Sequence, residues 1–171
     1  NYDKKMGWKG TLGNIFEDNL SLNDFRKKIV NPFPGKWVLV QIDKITDSNI
    51  LLSNYEMVKF EINLKDNNNS WLEKVNFKIG DVLFVEKHES GLIIRQVPKV
   101  NGSIIVLDPH SGDVLAMSGG FSFRRSEFNR STQAKRQPGS AFKPIVYISA
   151  LKSGLTPSTL ILDAPYVIDQ G

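Results

Sequence analysis

The sequence predicts a mainly β chain with some α: a small five-stranded barrel, then an incomplete α+β portion. Two observations carry this. Between about residues 36 and 97, apolar and polar residues alternate in short runs divided by turn signals. From Pro98 onward the order becomes strand, turn, strand, long loop and helix, with no partner strands following to complete that second sheet.

Residues 1–34 are mixed and are expected to form a linker or interdomain segment. Gly7, Gly10 and Gly13 make a loose start. Ser21 then stands where a helix cap belongs, before Leu22, Phe25 and Ile29 at helical spacing. Asn31-Pro32-Phe33-Pro34-Gly35 breaks the chain and sets a boundary.

Residues 35–97 are expected to form the barrel domain. The first run carries Val38, Val40, Ile42 and Ile45; Ile50 to Leu52, Met57 to Leu64, Asp81 to Lys87 and Leu92 to Val97 follow. Asp47-Ser48-Asn49, the polar run Lys65 to Ser70, Gly80-Asp81 and Ser90-Gly91 supply the turns. Five short strands in this length fit a Greek-key barrel, the OB-fold being the common solution and an SH3-like barrel its competitor.

Residues 98–171 open the second unit. Ser103 to Leu107 and Asp113 to Met117 form a hairpin about the turn Asp108-Pro109-His110-Ser111-Gly112. Gly119-Gly120 ends it. A polar loop leads to Gln137-Pro138-Gly139, where a helix starts and runs to about Lys152, with Gly154 as its left-handed stop. Tyr166-Val167-Ile168 reads as a further strand.

Composition is that of a globular chain, 171 residues with 40% hydrophobic and 23% charged, so there is apolar surface to offset the entropy of ordering it. The net charge of +4 comes from 22 basic and 18 acidic residues intermixed, which argues against a phosphate-binding patch. The basic run Arg124-Arg125, Arg130, Lys135 and Arg136 reads as a solvated loop. With no cysteine, disulfides and thiolate metal sites are excluded. His88 and His110 stand alone, so no metal or cofactor is expected. No apolar run reaches the roughly 18 residues of a membrane span. The start without Met and the stop at Gln170-Gly171 read as those of an excised fragment.

Ser-x-x-Lys occurs twice, as Ser140-Ala141-Phe142-Lys143 and Ser149-Ala150-Leu151-Lys152. The bare pattern arises by chance about once in such a length. Ser140 follows Pro138-Gly139 at the opening turn of the predicted helix, where unpaired N–H groups and the helix dipole favour developing negative charge. Lys143 lies one turn on, on the same face. A hydroxyl beside an amine is an activated nucleophile, and the Ser140 N–H can help hold an oxyanion; the alternative is a plain capping serine. Ser149 falls half a turn round the helix, at about 100° per residue, and reads as a packing serine.

The flanks carry a resemblance. Phe128-Asn129-Arg130-Ser131-Thr132-Gln133-Ala134-Lys135-Arg136-Gln137-Pro138-Gly139-Ser140-Ala141-Phe142-Lys143-Pro144 resembles the segment around the catalytic serine of class A penicillin-binding proteins. Gly102 to Pro109, continuing through Gly112 and Val114 to Gly119-Gly120, resembles the first two strands of their transpeptidase domain. The likeness is closest over about 98–165. It extends to the barrel, an OB-like insert in several of these enzymes, and in 1–34 rests on Gly7-Trp8-Lys9-Gly10.

The resemblance implies a two-step acyl transfer. Ser140 would be the nucleophile and the site of β-lactam acylation, with Lys143 as base or proton relay. It implies peptidoglycan stem peptides, glycan strands and β-lactams as ligands. The barrel, from its position and its lack of motifs, is expected to be an interaction or spacer module, touching envelope regulators or glycan. The resemblance also implies a glycosyltransferase domain upstream, a membrane anchor outside this chain, and a place on the outer, periplasmic face of the bacterial cytoplasmic membrane. No nucleic acid is expected.

The family also uses a Ser-x-Asn triplet and a Lys-Thr/Ser-Gly strand after the nucleophile. Ser21-Leu22-Asn23 lies upstream in a helix cap, and Lys152-Ser153-Gly154 at a helix end, so neither qualifies. The fragment by itself is expected to be inactive. The competing readings are a serine β-lactamase or sensor on the same helix, and an OB module binding single-stranded nucleic acid. For the latter, Trp37, Phe60, Trp71, Phe77 and Phe84 would stack bases. Their placement on barrel strands reads instead as core, and Asp43, Glu56, Glu61, Glu73 and Glu86 among them would repel phosphates.

Overall fold

In a computed structural model, the chain is described at Lys5, residues 7–66 and residues 68–164. It divides into two compact units, residues 1–134 and 135–171. The expected strand at Tyr166 to Ile168 lies outside the described residues.

The chain is mainly β with few helices. In the first unit, β1 (Gly13–Asn14), β2 (Trp37–Ile45), β3 (Asn49–Asn54), β4 (Lys59–Asn63), β5 (Asp81–His88) and β6 (Gly91–Arg95) make one antiparallel sheet. Its order is β1-β5-β2-β3-β4, with β6 also on β5. β1 and β6 share one edge of β5: Gly13 and Asn14 pair with Val82 and Asp81, and β6 pairs from Phe84 to His88. The strands from β2 to β6 therefore run β4-β3-β2-β5-β6, and β4 and β6 come together without a shared ladder among the described residues. A bulge between Ile42 and Lys44 leaves Asp43 as the extra residue of β2, and such a bulge bends a strand so that a sheet can curl on itself.

Strand alternation sends side chains to two cores. Val40 and Ile42 of β2 and Leu83 and Val85 of β5 join Ile50, Leu52, Ile62, Leu72, Phe77 and Ile94 inside the curled sheet. Trp8 closes that core edge-on to Trp71 and Phe77, with centroids 6.2 and 5.6 Å away. Trp37 and Leu39 of β2 and Val82 and Phe84 of β5 point the other way, into a second core with Leu22 and Phe25. These last two sit on α1 (Leu22–Lys28), which starts in a capping box: Ser21 Oγ accepts the Asp24 N–H and Asp24 accepts the Ser21 N–H. Residues Asp81 to Glu86 of β5 are all buried, the pattern of a strand covered on both faces. Trp37, Phe77 and Phe84 are buried, while Phe60 and Trp71 are half-buried against the first core, so none of the five forms an open stacking platform.

The gap between β4 and β6 is closed by side chains. The turn after β4 ends in a short 3-10 helix, Ser70–Leu72. Just before it, Asn69, 1% exposed, donates to the Leu92 carbonyl at 2.8 Å and accepts the Ile94 N–H at 3.0 Å. Asn68 donates to Ser90 Oγ at 2.9 Å. One amide thus does what a neighbouring strand would do for β6, leaving its buried backbone groups satisfied.

Glu86, 2% exposed at the end of the two-faced stretch, is held by Arg95 Nε at 2.5 Å and Lys36 Nζ at 3.0 Å. Burial pushes its carboxyl up, but the hydrogen bonds and charges of Lys36 and Arg95 outweigh that and hold it below the usual 4.5.

The last strands of the first unit form a hairpin, β7 (Ile104–Leu107) with β8 (Val114–Ser118), Ile104 opposite Ser118. Every residue of both strands is exposed. The second unit holds a 3-10 turn, Gly139–Phe142, and α2 (Lys143–Lys152), in neither of which any residue is buried.

Two outcomes test this reading. Asn69→Leu strands the buried Ile94 N–H and the half-buried Leu92 carbonyl, and equilibrium denaturation should show a loss of about 2–4 kcal/mol. Glu86 has a lowered folded pKa, so its contribution is present above the unfolded value of 4.5 and lost as pH falls through the folded one. Thermal midpoints should therefore drop in acid below that value, and Glu86→Gln should flatten the decline; an unchanged slope would assign it to other carboxylates.

Candidate active site

The segment leading to Ser140 is strapped before it becomes a turn. After β8, the backbone N–H of Arg130 bonds the Gly119 carbonyl at 3.0 Å, and its guanidinium reaches the Gly119 and Phe128 carbonyls at 3.4 and 3.1 Å. Ser131 Oγ donates to the Ser118 carbonyl at 3.3 Å. Asn129 is held by Gln133, whose side chain accepts the Asn129 N–H at 2.6 Å and whose N–H donates to the Asn129 carbonyl. Gly119 is required by closeness: a Cβ there would lie 2.8 Å from the Asn129 Cα and 2.4 Å from its Oδ1. Arg130 is therefore a structural clamp, not part of a solvated basic run.

The helix expected from Gln137 to Lys152 is instead a 3-10 turn followed by an α-helix. Gly139 has φ +52, which no α-helix contains. Pro144 supplies the second reason. It has no N–H, so the α-helical bond to the Ser140 carbonyl cannot form. That carbonyl accepts the Lys143 N–H instead, one residue nearer. Ser140 thus lies inside the 3-10 turn, and Lys143 follows it as the first residue of α2. Both are exposed, and neither side chain makes a hydrogen bond among the described residues.

The other patterns fall at helix landmarks. Ser149 is in the middle of α2 and, like the rest of that helix, is not buried in this chain; its carbonyl accepts the Ser153 N–H and Oγ at 3.0 and 2.9 Å. Lys152 ends the helix and Gly154, at φ +87, stops it, the Leu155 and Gly154 N–H groups bonding the Ala150 and Leu151 carbonyls. Lys152-Ser153-Gly154 is thus a helix end and Ser21-Leu22-Asn23 a helix beginning. His88 Nδ1 meets its neighbour Ser90 Oγ at 2.9 Å, and the His110 N–H caps onto Asp108 at 2.7 Å.

Sequence reasoning singled out Ser140 and Lys143 as candidates but not the structural role of Pro144, which stands in the same segment. It also passed over Phe121, hidden in a loop read as polar.

This geometry has a known setting. The family model for the penicillin binding protein transpeptidase domain matches residues 102–171. Penicillin-binding protein 1A of Rickettsia conorii is 34% identical over 99% of this chain and 22% of its own length. That of Pseudomonas aeruginosa is 46% identical over 52% of this chain and 11% of its own. A crystal structure of penicillin-binding protein 1A from Haemophilus influenzae superposes with a TM-score of 0.74 at 27% identity, over 99% of this chain and 26% of that one. The chain belongs to the class A penicillin-binding proteins. Its similarity is to the 1A members, of whose length it spans about a fifth.

Pro144→Ala tests the account of the turn. With an amide at 144, the α-helix should extend back to Ser140, seen as slowed hydrogen exchange at that new amide; fast exchange there would show that proline does not set the 3-10 register.

Proposed function

We propose that this chain is part of a peptidoglycan synthase, a serine-type D-Ala-D-Ala transpeptidase, in which Ser140 is acylated and Lys143 moves its proton. The observation that supports the reading is that Ser140 lies in a 3-10 turn, its carbonyl bonded by the Lys143 N–H, within the stretch matched by the transpeptidase family model.

The chemistry follows from that pair. Ser140 Oγ attacks the carbonyl carbon of the penultimate D-alanine of a stem peptide while Lys143 takes or relays the hydroxyl proton. The tetrahedral adduct collapses, the peptide C–N bond breaks, and the departing D-alanine amine receives the proton. An amine of a neighbouring strand then attacks the ester, releasing Ser140 and forming the cross-link. A β-lactam enters at the same step, its ring amide opening onto Ser140.

The domain reading accompanies this: residues 1–34 as interdomain segment, 35–97 as an OB-like accessory barrel that contacts envelope regulators, and 98–171 as the start of the transpeptidase domain. Apolar residues on both sides of β7–β8 and around α2 support it, among them Ile104, Ile105, Leu115, Ile145, Val146 and Ile148, all at least 40% exposed. A helix apolar on every side is built to be buried, so these surfaces belong inside a larger domain. The groups completing the site, a glycosyltransferase domain and a membrane anchor belong to the longer protein, with its catalytic part on the outer face of the cytoplasmic membrane. No helix among the described residues is long and apolar enough to cross a membrane. Burial of Trp37, Phe77 and Phe84 disfavours the nucleic-acid alternative.

Mass spectrometry of the full-length protein treated with a penicillin should find a long-lived adduct on Ser140. Ser140→Ala should abolish it, Lys143→Ala should slow acylation by about 10²–10⁴-fold, and Ser149→Ala should change nothing. An adduct that hydrolyses within the dead time would make the protein a β-lactamase, and an adduct elsewhere would end the reading.

A further inference from the structure

Between α1 and the turn that follows β3 lies an open cleft of about 580 Å³. Trp37 and Leu39 of β2, both buried, form its floor, and Val30 and Tyr55, both exposed, stand at its rim. Its charge is one-sided. Arg26 and Lys27 line it from α1, and Arg124 lines it from the loop after β8. All three are exposed, and none makes an ion pair among the described residues. Glu56 is the one acid of the lining among the described residues, and its carboxylate accepts the Tyr55 hydroxyl at 2.8 Å. The Arg26 guanidinium lies 3.9 Å from the centroid of the Tyr55 ring. Stacking of this kind uses the face of the guanidinium and leaves its N–H edge open to an acceptor. The negative end of α1 accounts for cations on that helix. It does not account for Arg124, which comes to the same cavity from a remote part of the chain.

We infer that this cleft binds a compact ligand carrying an oxyanion, phosphate or carboxylate, beside a ring or apolar portion. A concave surface lined by cations of one sign focuses their field and concentrates anions there. Guanidinium forks match two oxygens of either group, and such charge-assisted bonds are about twice as strong as neutral ones. The apolar floor favours a ligand with a ring or alkyl part, and clefts of about 300–1,000 Å³ suit small molecules. Every lining residue belongs to the first unit, so the site stands whether or not Ser140 is the nucleophile.

The test is ligand-observed NMR on the full-length protein in a non-ionic detergent, with phenyl phosphate, benzoate and benzyl alcohol as probes. Phenyl phosphate and benzoate should bind, the tighter of the two naming the oxyanion, and uncharged benzyl alcohol should not. Added salt should weaken both. Inorganic phosphate, which has no ring, should displace phenyl phosphate only at much higher concentration. Arg26→Gln and Arg124→Gln should each weaken binding about five- to tenfold. Arg26→Lys keeps the charge and loses the fork, so its affinity should fall between those of the wild type and Arg26→Gln. Lys28→Gln removes an exposed cation of α1 that does not line the cleft, and should leave binding unchanged. Thermal midpoints of these exposed substitutions should stay near the wild type's, so that lost binding reports the cleft. Equal binding of benzyl alcohol, or an equal loss in Lys28→Gln and Arg26→Gln, would overturn the inference. So would the absence of binding by either anion up to about 10 mM. None of these results bears on acylation of Ser140, which the penicillin adduct reports separately.

Discussion

Strands β2 and β5 bury both of their faces, and that demand organises the first unit. Alternation along β5 sends Leu83 and Val85 inward and Val82 and Phe84 outward. The inward set is covered by the curling of the sheet itself. The outward set needs a separate cover, which the sheet cannot supply. Leu22 and Phe25 from α1, with Phe33 and Phe121 packed beside them, provide it. Residues N-terminal to the barrel, and residues C-terminal to the hairpin β7–β8, are therefore drawn to the same surface by one requirement. Leaving side chains such as Phe84 and Trp37 wet would forgo about 2–3 kcal/mol each.

The same pair of strands decides where charge can be buried. Glu86 is the last buried residue of β5, opposite Trp37. Its carboxylate is tolerable there because Arg95 from β6 and Lys36 from the entry to β2 reach it. A buried carboxylate lacking such partners would protonate or open the strand. Asp43 shows the complementary case. It occupies the bulge of β2, where Gln41, Ser53 and Lys59 bond it at 3.0, 2.8 and 2.7 Å. Burial raises its pKa, and those bonds bring it below the ordinary value. The acids scattered through the strands thus have local structural tasks.

Most of the sheet was legible because each strand carries its own alternation and its own turn signals. Val38 to Ile45 became Trp37–Ile45, and Asp81 to Lys87 became Asp81–His88. What was illegible is non-local. β1 is only Gly13–Asn14, too short for any period, and exists because β5 has an open edge at Asp81 and Val82. Asn69 looked like one polar residue in a turn, and only the fold brings Leu92 and Ile94 to its amide. Phe121 likewise stands in a sequence of glycines, serines and arginines, and its partner Phe33 is distant in the chain. At the site, Ser140 and Lys143 were singled out by their flanks, since the bare spacing occurs twice, but the backbone form there was not legible, because Gly139 and Pro144 outweigh the helical pattern.

Those two residues also explain why one Ser-x-x-Lys differs from the other. Around Ser149 the helix is regular, with nothing to break the bond from each N–H to the fourth carbonyl back. There a serine and a lysine three apart are offset by about 60° round the axis, given about 100° per residue. Around Ser140, Gly139 takes a left-handed conformation and Pro144 withholds an N–H, so the turn tightens to about three residues. Identical letters thus acquire different geometry from their neighbours at one position before the serine and one after the lysine. What sets Ser140 apart from Ser149 is therefore the backbone from Gly139 to Pro144.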